Sequence, residues 1–177
     1  MARIRMLSTA LLLALLVTVA LSVPGDGGQA AAVEPRTVTA SLMIPAAAFT
    51  PTNSNFGYAF TNRELVATGG FAYFVAPLTF PVPVVDIQRL TLYAFDNGAG
   101  ASVAVDLYRT EPAGATFRYT GGVFTADSPN DPQVVSSTAF NPRRVNTALH
   151  GAYLRLYLVP GLMFYGVKVQ YSYQTGT

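Results

Sequence analysis

The stretch LYAFDNGAGASVAVDLYR, residues 92–109, predicts the fold class, because segments of alternating apolar and other residues flank its glycine-rich centre. Leu90 and Leu92 lie before the centre at every second position, and Val103 and Val105 follow it in the same way. An apolar residue at every second position is typical of a strand that buries one face. The stretch therefore predicts two half-buried β-strands joined by a turn.

The dipeptide Asn97-Gly98 predicts that this turn is a β-hairpin, because both residues tolerate the positive φ of a type I′ turn. A two-residue turn places Leu92 opposite Val103, so that core residues meet core residues. A longer loop that shifts the pairing by two residues keeps the same faces, which leaves the register open.

A ligand site is the alternative interpretation of the same centre. Asp96 is its only carboxylate, whereas calcium takes about six to eight oxygen ligands. A glycine-rich loop that binds phosphate opens a helix, and the next segment has the alternation of a strand. We therefore interpret the stretch as a structural turn between two strands and not as a ligand site.

Similar strand patterns recur along the chain, for example RTVTASLMI (residues 36–44) and VKVQYSY (residues 167–173). Turn residues separate them at short intervals, and no segment has the periodicity of an amphipathic helix. We expect an all-β fold of roughly eight to ten strands, paired mostly antiparallel, in a two-sheet sandwich. A jelly roll is the predicted arrangement, and an immunoglobulin-like sandwich is the alternative.

The N-terminal segment predicts a secretory signal peptide over residues 1–32. Arg3 and Arg5 precede an uncharged run from Ala10 to Leu21, and Ala30 and Ala32 provide a small-residue cleavage site. The apolar run is shorter than the ~20 residues that a membrane-spanning helix needs. The expected mature chain, residues 33–177, is one β-sandwich domain that is secreted to the extracellular space or cell surface and has no membrane contact after cleavage.

Composition excludes several functions. The sequence has no cysteine, which rules out disulfides, thiolate nucleophiles and cysteine metal sites. The expected mature chain keeps nine basic and eight acidic residues, and Lys168 is its single lysine. Such sparse charge does not build a basic patch for a phosphate backbone, so nucleic acid is not an expected partner.

The sequence gives little evidence for a catalytic site or a metal site. His150 is the only histidine, and no GxSxG elbow accompanies it. Asp127, Asn130 and Asp131 could supply oxygens to a calcium ion, but turns ahead of proline explain the same residues. We expect no catalytic residues, no resident metal and no cofactor.

Tyrosines and one arginine form the candidate binding surface. They lie opposite aliphatic residues on their strands or alternate with polar ones, and an outward stripe of this kind could stack sugar rings or form a protein interface. The alternative is that tyrosine simply covers a pleated sheet well. The stripe comprises Tyr93, Tyr108, Tyr153, Arg155, Tyr157, Tyr171 and Tyr173.

Three stretches resemble small secreted bacterial β-sandwich proteins of unknown function: IPAAAFTP after the first strand, VAPLTFPVPVVDIQRLTLYAFDN, and VKVQYSY near the end. The resemblance covers nearly all of the mature chain. It implies a jelly-roll-like sandwich and an extracellular location. It implies no activity, and no functional residues are carried over from it.

Three functions compete at this point. The first is a non-enzymatic structural or self-assembling subunit, whose partners are copies of the same chain in an oligomer or polymer. The alternative is a carbohydrate-binding module that uses outward tyrosines on a polysaccharide. The third is a small hydrolase that uses unrecognised carboxylates or His150.

Overall fold

Alternating apolar residues build a β-sandwich in the computed structural model, which describes residues 34–61, 63–97, 100–111, 116–126 and 131–176. The predicted signal peptide lies outside these residues. The described residues belong to one unit, Val33–Thr177, in which strands predominate and the only helical element is a 3-10 turn at Ala46–Ala48.

Twelve strands occur in the described part of the chain. In order they are β1 (Arg36–Pro45), β2 (Thr50–Pro51), β3 (Tyr58–Thr61), β4 (Glu64–Ala67), β5 (Ala72–Leu78), β6 (Val84–Asp96), β7 (Ala104–Glu111), β8 (Thr116–Phe124), β9 (Asp131–Ser137), β10 (Arg144–Asn146), β11 (Gly151–Leu158) and β12 (Met163–Thr175). The number exceeds the expected eight to ten partly because β2 and β10 are too short to show alternation in the sequence.

The strands form two antiparallel sheets. In sheet A, β6 and β12 pair at the centre; β9 and β10 flank β6, while β1 and β4 flank β12 and β3 follows β4. Sheet B has the order β2-β5-β11-β7-β8. The orders β4-β12-β6-β9 and β5-β11-β7-β8 are those of a jelly roll, in which consecutive strands repeatedly change sheet. The predicted fold class is therefore confirmed.

The predicted hairpin between β6 and β7 is wrong, because the two strands lie in different sheets. Leu92 pairs with Val135 and Val167 in sheet A, and Val105 pairs with neighbours in sheet B. Asn97 follows β6 directly, whereas Gly98 lies outside the described residues. Alternation of apolar residues shows which side chains face the core, but it does not show to which sheet a strand belongs. Two strands joined by a hairpin and two strands in opposite sheets therefore have the same sequence pattern.

The core lies between the inner faces of the two sheets. The edge of the Phe49 ring packs on Phe164 with the ring centroids 4.8 Å apart. The largest fully buried side chains include Phe74, Phe164, Leu65, Ile87, Leu90, Leu92, Leu107, Leu154, Leu156, Leu158, Leu162 and Val85. Both strands that flank the glycine-rich centre contribute to this core, as their alternation predicts.

A buried polar network joins the sheets where β6 ends. Thr125 Oγ1 donates a hydrogen bond of 2.5 Å to Asp96 Oδ2 and accepts one of 3.0 Å from the Val103 amide. The Thr125 amide also donates to the Val103 carbonyl at 3.0 Å. Asp96 is fully buried. This carboxylate therefore bonds within the protein at the crossing between the sheets.

A β-bulge in β8 reverses which of its side chains face outward. Leu107 pairs with Gly121 but Tyr108 pairs with Tyr119, so Thr120 is the extra residue. The Gly121-Gly122 pair indicates a bulge or a turn, and the structure has the bulge within a continuous strand. A Cβ at Gly121 would collide with the Ala139 carbonyl oxygen. Because strand periodicity is two, one extra residue moves Tyr119 to the outer face.

Among the described residues, no helix has the length and apolar character needed to cross a membrane.

Candidate functional site

A cluster of aromatic side chains covers the outer side of sheet B. On β11, Leu154 and Leu156 are buried, so Tyr153, Arg155 and Tyr157 point outward. We call this surface the aromatic face. It comprises Phe71, Tyr73, Tyr108, Phe117, Tyr119, Tyr153 and Tyr157 around Arg155 and Asp106.

An ion pair occupies the centre of the aromatic face. Arg155 Nη2 donates to Asp106 Oδ2 at 3.0 Å, and the two residues are direct partners across β11 and β7. The Arg155 guanidinium carbon also lies 4.5 Å from the Tyr108 ring centroid and 5.2 Å from that of Tyr73. Partial burial opposes the charged form, but the hydrogen bond to Asp106 and the nearby negative charge raise the pKa of Arg155 above its ordinary value. The guanidinium therefore stays charged.

The first aromatic group lies on the β5 side of the ion pair. Tyr73 and Tyr157 are partners across β5 and β11, with ring centroids 5.4 Å apart. Phe71, just before β5, stacks on Tyr157 at 6.3 Å and meets Tyr73 edge to face at 6.0 Å. The Phe71 side chain is 58% exposed, so this group presents an apolar surface to solvent.

The second aromatic group lies across β11, β7 and β8. Tyr108 stacks on Tyr153 with ring centroids 5.5 Å apart and planes 14° from parallel. The Phe117 and Tyr119 rings meet Tyr108 edge to face at 5.6 and 5.8 Å. These neighbours bury Tyr108, whereas Phe117 is 65% and Tyr119 53% exposed. Tyr108 therefore supports the neighbouring rings from within the protein, and the rings that a ligand can reach are Phe117 and Tyr119 of β8.

Gly122 makes room for the polar centre next to the second group. A Cβ at this position would lie 2.6 Å from Asp106 Oδ1 and 3.2 Å from the Tyr119 hydroxyl. The lack of a side chain at Gly122 leaves the space that these two groups occupy. A carboxylate, a guanidinium and a phenol hydroxyl thus lie beside exposed rings.

The two aromatic groups are separated along β11. Tyr157 belongs to the first group and Tyr153 to the second, and the four-residue step between them spans about 13 Å at the rise of a strand. Arg155 lies midway along this step. A ligand that contacts both groups therefore has to be extended and has to pass over the ion pair.

Partial burial raises the pKa of Tyr108, Tyr119 and Tyr153. The negative charge of Asp106 raises the pKa of Tyr119 further, while Arg155 partly offsets the rise for Tyr108 and Tyr153. The phenols of the second aromatic group consequently keep their protons, and remain hydrogen-bond donors, at a higher pH than free tyrosine.

The free energy of unfolding is expected to fall as the pH rises above about 10. The folded protein holds phenol protons that the unfolded chain releases, so this contribution is complete below the unfolded pKa and is lost as the pH rises through the folded pKa. Urea unfolding at a series of pH values, with phenolate absorbance recorded in parallel, measures the effect. The variant Tyr119→Phe/Tyr153→Phe should lose part of the dependence, and an unchanged dependence would contradict the assignment.

The structure brings together only part of the predicted tyrosine stripe. Tyr108, Tyr153, Arg155 and Tyr157 all lie on the aromatic face. Tyr93 lies on the outer side of sheet A, where it pairs with Gly166 and Val134. It therefore belongs to the opposite surface of the sandwich.

The placement of Tyr171 and Tyr173 on the outward stripe is corrected by the structure. Tyr171 is buried and its ring lies 4.9 Å from that of Phe80, and Tyr173 packs against the core beside it. Both lie on the face of β12 that carries Val167 and Val169, and this face is the inner one. Because a tyrosine fits either face of a strand, its direction follows the residues that share its face, and here these are two valines of the core.

Besides Asp106, four aromatic residues of the aromatic face are absent from the predicted stripe: Phe71, Tyr73, Phe117 and Tyr119. The alternation in FAYFVAP could have revealed Tyr73, because Ala72 and Phe74 are buried on either side of it. No sequence pattern reveals Phe117 and Tyr119, since the bulge at Thr120 decides their direction.

The remaining candidate residues do not assemble into a site. His150 lies just before β11, and its Nδ1 atom is buried without a hydrogen-bond partner. Asp131 begins β9 and is exposed, whereas Asp127 and Asn130, its partners in the calcium hypothesis, lie outside the described residues. Within the described ranges, no group of three or more acidic or histidine side chains is arranged to hold a metal ion.

No family model and no curated protein matches the chain, but solved structures do. The C-terminal CBM6 of LamC, a marine laminarinase from Zobellia galactanivorans, is 13% identical with a TM-score of 0.46, over 73% of this chain and 98% of that one. A carbohydrate-binding module of family 29 is 8% identical with a TM-score of 0.35, over 80% and 94%. The K1 cleaved adhesin domain of Lys-gingipain from Porphyromonas gingivalis W83 is 11% identical with a TM-score of 0.35, over 80% and 99%.

Proposed function

We propose that this protein is a secreted, non-catalytic carbohydrate-binding module whose aromatic face binds a polysaccharide. The observation that carries the proposal is the continuous set of outward rings on β5, β11, β7 and β8, with a paired arginine and carboxylate at its centre. Sugars combine apolar ring faces with polar hydroxyl edges. The aromatic face offers both kinds of partner side by side.

The rings of the aromatic face are already ordered before any ligand arrives. Tyr108 is fixed by contacts with Phe117, Tyr119, Tyr153 and the Arg155 guanidinium. Ordered side chains lose little conformational freedom on binding, so more of the contact energy remains as affinity. Aromatic residues on a strand scaffold therefore serve as a prepared stacking surface.

The polar centre supports the same function. Asp106 accepts from Arg155 through one oxygen, and its second oxygen lies towards Gly122 on the outer side of β8. Hydroxyl groups of a bound sugar can donate to the carboxylate and accept from the guanidinium. The paired charges orient a ligand without attracting one sign of charge, which suits a neutral polysaccharide.

We infer a binding role rather than glycoside hydrolysis from the pairing of Asp106. Hydrolysis canonically needs two carboxyl groups on either side of the scissile bond, one acting as an acid and one as a base or nucleophile. In the aromatic face, the carboxylate is held by an arginine that keeps its charge. Asp106 is also the one carboxylate among the described residues that make up the aromatic face, so the second carboxyl group is missing there.

The first experiment is affinity electrophoresis of the purified protein through gels that contain neutral polysaccharides, among them β-1,3-glucan, β-1,4-glucan, xylan and mannan. We expect retardation by at least one of them, followed by calorimetry with its oligosaccharides. The variant Phe117→Ala/Tyr119→Ala should weaken binding by at least about tenfold, which corresponds to about 1.4 kcal/mol. Longer oligosaccharides should bind more tightly, because they reach both aromatic groups.

Phe60→Ala is the matched control. Phe60 is 51% exposed on β3 of sheet A, so the substitution removes a similarly exposed ring from outside the aromatic face. Its affinity should equal that of the unmodified protein. Equal weakening in both variants, or the lack of any retarding polysaccharide, would refute the proposed function.

A structural, self-assembling subunit is the second candidate function. The observation that favours it is the position of Phe117 and Tyr119 on β8, which is an edge strand of sheet B. An exposed edge with apolar side chains can pair with another chain. Light scattering over a range of protein concentrations separates the two functions: concentration-dependent oligomers that Phe117→Ala/Tyr119→Ala abolishes support assembly, and a monomer at every concentration excludes it.

A further inference from the structure

A polar groove lies on the opposite surface of the sandwich from the aromatic face. It has a volume of about 560 Å³ and runs over the outer side of sheet A, between β1, β12, β6 and the segment that follows β9. Every described residue that lines it has a polar side chain. Those used in the argument are Thr39, Gln88, Arg89, Arg143, Gln170 and Ser172.

The described lining of the groove carries positive charge and contains no carboxylate. Arg89 and Arg143 both line it, and Arg89 makes no ion pair with any described residue. Arg143 donates one hydrogen bond of 3.2 Å to the Thr138 carbonyl, which directs its side chain along the groove wall. The neighbouring acid, Asp86, is paired with Arg144 at 3.6 Å. The groove is therefore suited to bind an anionic group.

The uncharged lining residues fit the hydroxyls of a sugar. Gln88 Nε2 donates to Ser172 Oγ at 2.8 Å, which holds the amide in place and leaves its carbonyl oxygen as an acceptor. Gln170 and Thr39 add an amide and a hydroxyl on the adjacent strands. These groups both donate and accept hydrogen bonds, as sugar hydroxyls do.

We propose that the polar groove binds an acidic polysaccharide, with the carboxylate or sulfate groups of the sugar held by Arg89 and Arg143. A guanidinium presents paired N–H donors that match the oxygens of such an anion. Among the described residues that line the groove, two are cations, too few to follow a phosphate backbone. This proposal does not rest on the function of the aromatic face, because the two surfaces lie on opposite sheets and share no residue.

The test measures binding of polygalacturonate, dextran sulfate and neutral dextran by calorimetry with the purified protein. The proposal predicts that at least one acidic polymer binds more tightly than dextran, with an affinity that falls as salt increases. Preference between the two acidic polymers identifies carboxylate or sulfate as the anion. Arg89→Gln/Arg143→Gln should weaken binding by at least about tenfold.

Arg118→Gln is the matched control for the single variant Arg89→Gln, since Arg118 is exposed on β8 of sheet B and each of these substitutions removes one positive charge. Arg118→Gln and Phe117→Ala/Tyr119→Ala should both bind the acidic polymer as the unmodified protein does. Arg89→Gln alone, which breaks no described contact, keeps the test valid if the double variant does not fold. Failure of both acidic polymers to bind, or equal weakening by Arg118→Gln, would overturn the proposal and leave the aromatic face unaffected.

Discussion

Phe164→Ala is expected to lower the free energy of unfolding by about 3–5 kcal/mol. Phe164 is fully buried on β12, where it lies opposite Ala94 of β6 and Leu65 of β4. Its ring also packs against Phe49 from the connection between the sheets. The substitution removes apolar contacts and leaves a cavity at the strand that holds sheet A together, and close-packed interiors fill such cavities only partly.

Phe124→Ala is the control for this prediction. The same side chain is removed from β8, where Phe124 is 66% exposed. We expect a loss below about 1 kcal/mol, because little apolar surface returns to water. Urea unfolding with linear extrapolation measures both variants. Equal losses would show that Phe164 lies outside the core, and Phe164→Leu provides the comparison if Phe164→Ala does not fold.

Asp96→Ala is expected to destabilise the fold by about 2–3 kcal/mol. The buried Asp96 carboxylate accepts from Thr125, whose hydroxyl in turn accepts from the Val103 amide. Removing the carboxylate leaves the buried Thr125 hydroxyl without its acceptor. A buried polar group without a partner destabilises the fold by its full desolvation penalty. The effect is large because the network lies where the chain crosses between sheets.

A double-mutant cycle tests this network. Thr125→Val keeps the volume of Thr125 but removes the hydroxyl, so it breaks the same bonds from the other side. The double variant should lose less than the sum of the single losses, by about 0.5–3 kcal/mol. Asp131→Ala, at the exposed partner position on β9, should change stability by less than about 0.5 kcal/mol. Additive losses would show that Asp96 and Thr125 do not act together.

The all-β class and the inner faces of several strands were predictable from the sequence, because both depend on local patterns. Leu90, Leu92, Val103 and Val105 alternate in the sequence and are all fully buried. The pairing of β6 and β7 was not predictable from the same residues. Asn97-Gly98 is a turn signal in a hairpin and at a sheet crossing alike, and only contacts with distant strands separate the two.

The aromatic face was predictable in part. Tyr153, Arg155 and Tyr157 alternate with three leucines, and this regular strand points them outward as expected. Tyr171 instead shares its face with Val167 and Val169, opposite Gln170 and Lys168, and it lies inward with them. A tyrosine fits either face of a strand, so the residues that share its face decide its direction.

The lack of cysteine and the alternation of apolar residues predict a disulfide-free β-sandwich. The same alternation predicts many of the aliphatic residues of its core, because a two-residue period is a local property of the chain. The tertiary structure alone decided which strands share a sheet and which aromatic rings meet. The bulge at Thr120 shows the physical reason: one extra residue against β7 reverses the direction of Phe117 and Tyr119 and completes the second aromatic group. The local pattern of β11 therefore supplies part of the aromatic face, and pairing between strands completes it.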